Sequence, residues 1–288
     1  MIRLGTRGSA LALAQAKLVA TALADEVELV TITTSGDRDE ARNDKSRWTS
    51  ALEAALLASE IDIAVHSAKD VPGELADGTA IAAIPARAGT LDALCGFADF
   101  ASIVPGARVG TSSIRRTAQL RAKRDDIEIV ELRGNVDTRL RKLADGEVDA
   151  LVLAEAGLTR LGRESQIGCL LSEFVPAPGQ GALLVQAREG DERARTINDP
   201  EAERCVIAER ALASYLNATC HTPLGASTVP ASGTDVTLSA WVGLPDGSHW
   251  IADELTGSAE HIGAQVAERM LAAGARELLV QAEEMAAA

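Results

Sequence analysis

The chain has 288 residues, of which 47% are hydrophobic and 24% charged, and its net charge is −14. That length supports two or three compact domains, and the composition is that of a globular protein. The acidic charge and the 2% aromatic content argue against nucleic-acid binding, because phosphates need a basic surface and unpaired bases need aromatic platforms.

The first predicted helix needs to be distinguished from a targeting segment. Residues 10–24 are rich in Ala and Leu, but Gln15 and Lys17 interrupt them, and the apolar spacing fits an amphipathic helix better than a signal peptide. No other run reaches the length of a membrane span. The four cysteines are scattered without metal-ligand or disulfide-framework spacing. We therefore expect a cytoplasmic protein with reduced thiols, no bound metal and no membrane partner.

Strands and helices alternate through the first part of the chain. The pattern predicts a strand at 2–4, a polar turn at 5–9, a helix at 10–24 and a strand at 28–33. A polar stretch without apolar periodicity, 35–47, predicts a long exposed loop. A helix at 48–59 and a buried strand at 62–65 then lead into the turn 66–72.

Residues 108–163 repeat this plan. Strands are predicted at 108–109, 128–132 and 149–153, and helices at 114–124 and from the 133–135 turn to about 144. The first turn of each repeat carries Gly-Thr followed by Ser, at 5–9 and at 110–113. We predict two similar α/β lobes with mostly parallel sheets, whose ligands bind at the carboxyl ends of the strands.

The last part of the chain has a different pattern. A helix at 203–216 precedes a Thr-, Val- and Trp-containing stretch with a Pro245-Asp246-Gly247 turn, and a final helix follows. This predicts a third, α+β domain with a small antiparallel sheet. The predicted boundaries are 1–88 with 179–200 for the first lobe, 89–178 for the second, and 201–288 for the third domain.

Arginines and hydroxyl side chains collect at the predicted turns. Residues 108–163 contain 12 Lys and Arg against 9 Asp and Glu, in an otherwise acidic chain. Because helix N-termini favour anions and guanidinium groups pair with carboxylates, the turns predict a ligand with several carboxylates or phosphates. Arg121, Arg124 and Arg163 lie on helix surfaces and are expected to be solvated. The turn residues are Arg7, Ser9, Thr111, Ser112, Ser113, Arg115, Arg116, Arg133, Arg139 and Arg160.

Two further features suit covalent chemistry without establishing it. Lys69 and Asp70 follow a buried strand, where they would hold an anion and move protons, or else Asp70 caps a turn and Lys69 is solvated. Cys220 lies in a predicted loop, where an electrophile can reach it, although a structural cysteine is the commoner case. The other cysteines are expected in the core, and His66 as a structural hydrogen-bonding residue.

Seven segments together resemble the porphobilinogen deaminase family, in the family's order and over nearly the whole chain. They are 5–9 with 11–16 (GTRGS, LALAQA), 62–72 (DIAVHSAKDVP), 109–116 (VGTSSIRR), 132–140 (LRGNVDTRL), 153–162 (LAEAGLTRLG), 178–182 (PGQGA) and 220–225 (CHTPLG).

The resemblance implies a fold of two periplasmic-binding-protein-like lobes with a third domain, and it implies that the protein is a monomer. It implies a transferase that joins four porphobilinogen molecules, with loss of ammonia, into hydroxymethylbilane. Cys220 would form a thioether to a dipyrromethane cofactor, and Asp70 would be the catalytic residue. The implied cofactor-binding residues are Lys69, Ser67, Thr111, Ser112, Ser113, Arg115, Arg116 and Arg133. The implied residues for porphobilinogen and the growing polypyrrole are Arg7, Ser9, Gln15, Arg139 and Arg160.

The sequence departs from the family pattern at two places. Residues 43–48 replace a glycine-rich segment that ends in Phe, and Gly89-Thr90-Leu91 replaces an acidic-Pro-Arg pattern after Arg87. The catalytic and cofactor positions are intact, so we expect activity. Two alternatives stay open: a non-catalytic two-lobed polycarboxylate-binding protein, and an inactive paralogue of the same fold.

Overall fold

The computed structural model describes residues 1–34, 46–219 and 222–287. Their strands form two five-stranded sheets and one three-stranded sheet. The predicted fold class, two similar α/β lobes with a third α+β domain that carries a small antiparallel sheet, is confirmed. Residues 35–45 of the predicted 35–47 loop lie outside the described residues, and residues 46 and 47 begin a helix.

The first lobe is built on the sheet with strand order β2-β1-β3-β10-β4. Ile2, Leu4 and Ile63 are buried at its centre, where they pack against the apolar face of the first helix. The elements are β1 (Ile2–Thr6), α1 (Ala10–Leu23), β2 (Val27–Thr31), α2 (Ser46–Leu57), β3 (Ile63–Ser67), β4 (Thr79–Ala83) and, after the second lobe, β10 (Leu183–Arg188).

The second lobe repeats the arrangement with the order β7-β6-β8-β5-β9. In each lobe the first strand of the repeat lies between the second and the third. The elements are β5 (Asp92–Cys95), β6 (Arg108–Thr111), α3 (Ile114–Lys123), β7 (Glu128–Glu131), α4 (Val136–Ala144), β8 (Ala150–Ala154), α5 (Glu155–Arg160) and β9 (Cys169–Leu170).

The expectation of mostly parallel sheets is wrong, because half of each sheet is antiparallel. In the first lobe β1 is parallel to β2 and β3, but β10 is antiparallel to β3 and β4. In the second lobe β6 is parallel to both neighbours, but β5 is antiparallel to β8 and β9. The chain crosses between the lobes twice, and each crossing brings a strand into the sheet from the opposite direction.

The predicted turns are fixed by helix caps. Ser9 accepts a hydrogen bond from the backbone N–H of Ala12 at the start of α1, and Ser113 accepts one from Arg116 at the start of α3. Asn135 caps α4 in the same way, through the N–H of Thr138. These side chains satisfy donors that a helix start leaves free. The similar Gly-Thr-to-Ser segments of the two lobes therefore perform the same local task.

The third domain packs three helices against one antiparallel sheet. A final single helix was predicted, but Gly274, with a positive φ of 98°, separates two. The hairpin turn at 245–247 contacts the second lobe, where Arg121 donates to the Pro245 carbonyl at 3.2 Å. The elements are α6 (Pro200–Tyr215), β11 (Leu224–Pro230), β12 (Asp235–Gly243), β13 (Trp250–Ser258), α7 (Ile262–Ala272) and α8 (Ala275–Ala287).

Within the described residues, none of the helices has the length and apolar character needed to cross a bilayer. The same residues hold no group of three or more His, Cys, Asp and Glu side chains arranged to bind a metal ion.

Candidate active site

Two cavities open at the carboxyl ends of β1, β3, β6 and β8. The first, of about 920 Å³, lies between the lobes, and the second, of about 900 Å³, extends to α6 and the residues after it. They meet at a shared wall formed by Trp48, Lys69, Asp70, Ser112, Arg116 and Arg139. The site is therefore one continuous cleft with two compartments.

Most of the predicted site residues line this cleft. The first cavity alone takes Arg7, Ser9, Gln15, Ser67, Arg133 and Arg160. The second alone takes Ser113 and Arg115. Thr111 is the exception among the described candidates: it is buried, and its hydroxyl accepts from the Ser113 N–H at 3.2 Å, so it shapes the turn and does not line either cavity.

Contacts across the first cavity hold its polar groups in place. Gln15 on α1 donates to the Ser67 hydroxyl at 2.9 Å, which joins two predicted ligands from different elements. Arg139 donates to the Ser112 hydroxyl at 3.0 Å and to the Gly134 carbonyl at 2.7 Å. The Arg7 guanidinium lies 3.7 Å from the centre of the Trp48 ring, a cation–π contact. Such held side chains are ready to meet a ligand without reordering.

Asp70 closes a short 3-10 turn, Ala68–Asp70, directly after β3. Among the described residues, its carboxylate is engaged by no hydrogen bond or ion pair. Lys69 beside it donates to the Gln180 side-chain oxygen at 3.2 Å, and burial lowers the pKa of Lys69 to about 8. The cleft thus has an available carboxylate next to an ammonium group that has only a neutral hydrogen-bond partner.

Arg115 and Arg116, which were predicted to bind a ligand, are already paired with a carboxylate of the protein. Both are buried, and both pair with the fully buried carboxylate of Asp92 on β5, at 2.7 and 2.8 Å. Burial alone raises the pKa of Asp92, but the two guanidinium groups lower it well below its usual range. One carboxylate faces two cations, so this cluster carries a net positive charge at the cleft wall.

Gln180 connects this cluster to the Ala68–Asp70 turn. Its side-chain oxygen accepts from Lys69, while its side-chain nitrogen donates to Asp92 at 2.9 Å and to the Thr90 carbonyl at 2.8 Å. Gln180 is fully buried, and it lies on the second crossing between the lobes. One amide therefore holds together the Lys69 turn of the first lobe and the Arg115–Asp92–Arg116 cluster of the second.

A second buried pair fixes the third domain. Arg87 and Glu209 are joined by two hydrogen bonds, of 2.7 and 2.9 Å, and the same carboxylate accepts from Gly179 and Thr228. Glu209 is fully buried. It thus ties α6 to β11 of its own domain and to both crossing segments.

Arg160 extends the cationic lining on the side of the second lobe. It donates to the Gly181 carbonyl at 2.6 Å, and burial lowers its pKa to about 10. Arg133 pairs with Glu131 at the rim, at 2.7 Å. The three helix-surface arginines expected to be solvated pair outside the cleft or contact the third domain: Arg121 with Pro245, Arg124 with Asp126 and Arg163 with Asp137.

Cys220 lies outside the described residues. Its described neighbours, Thr219 and Thr222, line the second cavity. Cys95 and Cys205 are buried, as predicted for core thiols, and Cys169 is half-buried; all three are free thiols.

His66, predicted as a structural hydrogen-bonding residue, lies beside Gln186, and its Nε2 atom makes no direct hydrogen bond within the described part of the chain. That atom is buried without a partner among the described residues, and burial lowers the pKa of the imidazole to about 4. The amide nitrogen of the neighbouring Gln186 donates to Glu53 and Thr79, at 3.0 and 2.7 Å, so the Gln186 group that can partner the ring is its side-chain oxygen, which favours the protonated imidazole.

Several residues of the site carried no clear signal in the sequence. Asp92 sits in a short, non-periodic segment, and Arg210 in a helix whose other residues form domain contacts. Gln180 lies within the 178–182 segment quoted for the family resemblance, but its spacing alone does not reveal its partners. Tertiary pairing gives each of these side chains its place.

The protein thus has two similar α/β lobes and a third domain. A cleft lined by cationic side chains lies between them, and it is large enough to bind a ligand with several negative charges. Comparison with protein families gives this class a name. Residues 2–196 match the model described as "Porphobilinogen deaminase, dipyromethane cofactor binding domain", and residues 203–272 match "Porphobilinogen deaminase, C-terminal domain".

Curated relatives agree along almost the whole chain. A porphobilinogen deaminase of Rubrobacter xylanophilus is 45% identical over 96% of this chain and 95% of its own. Those of Deinococcus radiodurans and Thermus thermophilus are each 42% identical over 98% of this chain and 99% of their own. The chain belongs to the porphobilinogen deaminase family, a family of enzymes, and contains its dipyrromethane cofactor binding domain.

Solved structures of low sequence identity align with about two thirds of the chain. The immunogenic lipoprotein A of Vibrio vulnificus aligns with 70% of this chain and 96% of its own, at 15% identity and a TM-score of 0.43. A periplasmic substrate-binding protein of Coxiella burnetii aligns with 68% of this chain and 90% of its own, at 16% identity and a TM-score of 0.41.

Proposed function

We propose that this chain is a hydroxymethylbilane synthase, a transferase that joins four porphobilinogen molecules, with loss of ammonia, into a linear tetrapyrrole. The observation that carries the proposal is the position of Asp70. Its available carboxylate lies on the wall shared by two cation-lined cavities, one on the side of the attachment loop and one between the lobes. Family membership supports the same reaction.

Each cavity has its own task in this proposal. Each porphobilinogen carries an acetate and a propionate, so a growing chain accumulates carboxylates. Guanidinium groups and helix N-termini are suited to bind them. The first cavity, with Arg7, Ser9, Gln15, Arg139 and Arg160, takes the incoming substrate and the growing polypyrrole.

The second cavity fits the cofactor. Its volume of about 900 Å³ is within the range of small-molecule sites, and its wall carries Lys69, Arg115 and Arg116 toward the cofactor's carboxylates. Ser112 and Ser113 add hydroxyl donors, and Thr219 and Thr222 flank the proposed attachment residue, Cys220. When bound there, dipyrromethane supplies the primer on which the chain is built.

The chemistry assigned to this chain's own residues is electrostatic and acid–base. The Asp70 carboxylate stabilises the positive charge that develops on porphobilinogen as ammonia leaves, and it accepts a proton when the new bond is complete. Lys69 and Arg116, from the two lobes, share the wall with Asp70, where they hold carboxylates and orient the reacting ring.

We further propose that the enzyme acts in the cytoplasm as a monomer, which rests on family membership. The proposed domain boundaries, 1–88 with 179–200, 89–178 and 201–288, are supported by the separation of the strands into three sheets.

Asp70→Asn tests this function, with Asp77→Asn as the matched control because Asp77 is exposed and lines neither cavity. We expect Asp70→Asn to keep its cofactor but to lose about 10²–10⁴-fold in ammonia release from porphobilinogen, the usual range for a general acid–base residue. The control should match the unmodified chain. Unchanged ammonia release in Asp70→Asn would reject its role, and an unmodified chain that binds porphobilinogen without releasing ammonia would favour a polycarboxylate-binding protein.

A further inference from the structure

Arg210 joins the third domain to the turn that carries Asp70. It lies on α6, and its guanidinium donates to the carbonyls of Val71, Pro72 and Gly73, at 3.3, 2.7 and 3.0 Å. These are the three residues that follow Asp70 in the chain. Arg210 is thus bonded, from another domain, to the backbone that directly follows the Ala68–Asp70 turn, at a place that no sequence pattern indicates.

The contact uses neutral partners alone. Among the described residues, Arg210 pairs with no carboxylate, and burial lowers its pKa below the ordinary value of arginine. A planar guanidinium presents several donors in a fixed fork, which suits it to bridge carbonyls that diverge along a turn. Its geometry is that of a clamp on the backbone.

Apolar contacts reinforce the same junction. Val71 is buried, and it belongs to one cluster with Ala68 of the catalytic turn and Ala202 and Val206 of α6. The backbone N–H of Val71 also donates to the Ala68 carbonyl, at 3.3 Å. The turn bearing Asp70 is therefore held between its own backbone bonds and one face of α6.

The other end of α6 leads to the proposed attachment residue. Leu212 and Leu216 anchor this end in the core of the third domain, and the described chain continues through Asn217, Ala218 and Thr219 to position 220. Arg210 lies between the two ends and lines the second cavity, together with Asp70. One helix thus spans from the catalytic turn to the attachment loop.

We propose that Arg210 is a positioning residue, which clamps the backbone after Asp70 to α6 and so sets the distance between the catalytic carboxylate and the cofactor attached at Cys220. The inference rests on the proposed function and deepens it. Correct placement of reacting groups is worth much in rate, since a displacement of about 1 Å can cost about 10²-fold.

Arg210→Met and Arg210→Lys test the proposal, with Arg269→Met as the control. Arg269 lies in the same domain, pairs with Asp253 at 2.7 Å and lines neither cavity. Cofactor loading by intact mass, thermal unfolding, and kcat and KM for ammonia release from porphobilinogen are measured on each purified protein. Rates are expressed per loaded enzyme, so that partial loading does not mimic a lower kcat.

The positioning role predicts full loading and a KM within about twofold in Arg210→Met, with kcat lower by about 10–10². Arg210→Lys restores the charge without the fork, so its kcat should recover only in part. Lost loading or a raised KM that Arg210→Lys repairs would overturn the proposal in favour of a direct carboxylate ligand. A lower melting temperature with unchanged kcat would reduce Arg210 to a structural role.

The unmodified chain in the same assay tests the proposed function separately. If it neither carries the cofactor nor releases ammonia, the proposed function fails, and with it the inference. If it is fully active and Arg210→Met has the same kcat, only the role of Arg210 is overturned.

Discussion

The buried carboxylate of Asp92 offers a sharp test of how the cleft holds its positive charge. Asp92 is fully buried, and the side chains of Arg115 and Arg116 that pair with it are 5% and 7% exposed. Asp92→Asn keeps the shape of the side chain but removes its charge, and its amide nitrogen would face a guanidinium. Two buried cations would then have no carboxylate partner among the described residues.

The expected cost follows from the burial of all three groups. Removing one partner from a buried ion pair costs about 3–5 kcal/mol, because it leaves an uncompensated buried charge. We expect the free energy of unfolding of Asp92→Asn to fall by about that amount. The matched control is Asp149→Asn, whose carboxylate pairs with Arg108 at 2.9 Å while both side chains are about 40% exposed. An exposed pair of this kind contributes little to stability, because water and salt screen it, and an Asn at 149 can still accept from the Arg108 backbone N–H.

The free energies of unfolding of the two variants and of the unmodified chain are measured by urea unfolding. All three proteins are prepared in the same cofactor-loading state, which is checked by mass. Equal losses in Asp92→Asn and Asp149→Asn, or a loss below about 1 kcal/mol in Asp92→Asn, would refute the account of a buried charge cluster.

The remaining predictions concern titration and packing. Burial lowers the pKa of Lys69 to about 8, so Lys69 loses its charge between pH 7 and 9, and KM for porphobilinogen should rise over that range. Lys69→Arg should flatten the rise, because arginine stays charged. An equal rise of KM in the unmodified chain and in Lys69→Arg would contradict this role of the Lys69 charge. The unfolded chain protonates His66 near pH 6.5, but burial lowers the pKa of His66 in the folded chain to about 4. The free energy of unfolding should therefore fall by about 3 kcal/mol as the pH drops from 6.5 to 4. Urea titrations at each pH measure this fall, which should be smaller in His66→Gln. Gly247→Ala should lower the melting temperature more than Gly190→Ala: both have a positive φ, but a Cβ at 247 would lie 2.4 Å from the Ala122 nitrogen, whereas at 190 it meets open space. Equal losses would disprove that contact.

Local signals account for what the sequence predicted of the fold. Ser9, Ser113 and Asn135 are helix caps, and a cap is set by residues three or four positions apart. The βα turns were therefore found at nearly their true places. The strands β4 and β5 were missed because they are short, lack alternation and gain their partners only when the chain crosses between lobes. Their antiparallel direction is likewise a property of the whole topology.

The site divides in the same way. Arg7, Lys69 and Arg133 were found because charge at a strand's carboxyl end is visible in the sequence, and the structure brings all three to one cleft. The network that holds them was not visible, since Gln180 meets its partners Lys69 and Asp92 across 111 and 88 positions of the chain. Long-range pairing of this kind depends on packing, which no local pattern encodes.

The measurement that tests the central claim most directly is the intact mass of the purified chain and of Cys220→Ser, before and after incubation with porphobilinogen. The account predicts a mass excess equal to two linked pyrrole units on the unmodified chain, further increments during turnover, and neither in Cys220→Ser, which lacks the thiol nucleophile. A bare polypeptide mass that stays bare after incubation, or the same excess on Cys220→Ser, would contradict it.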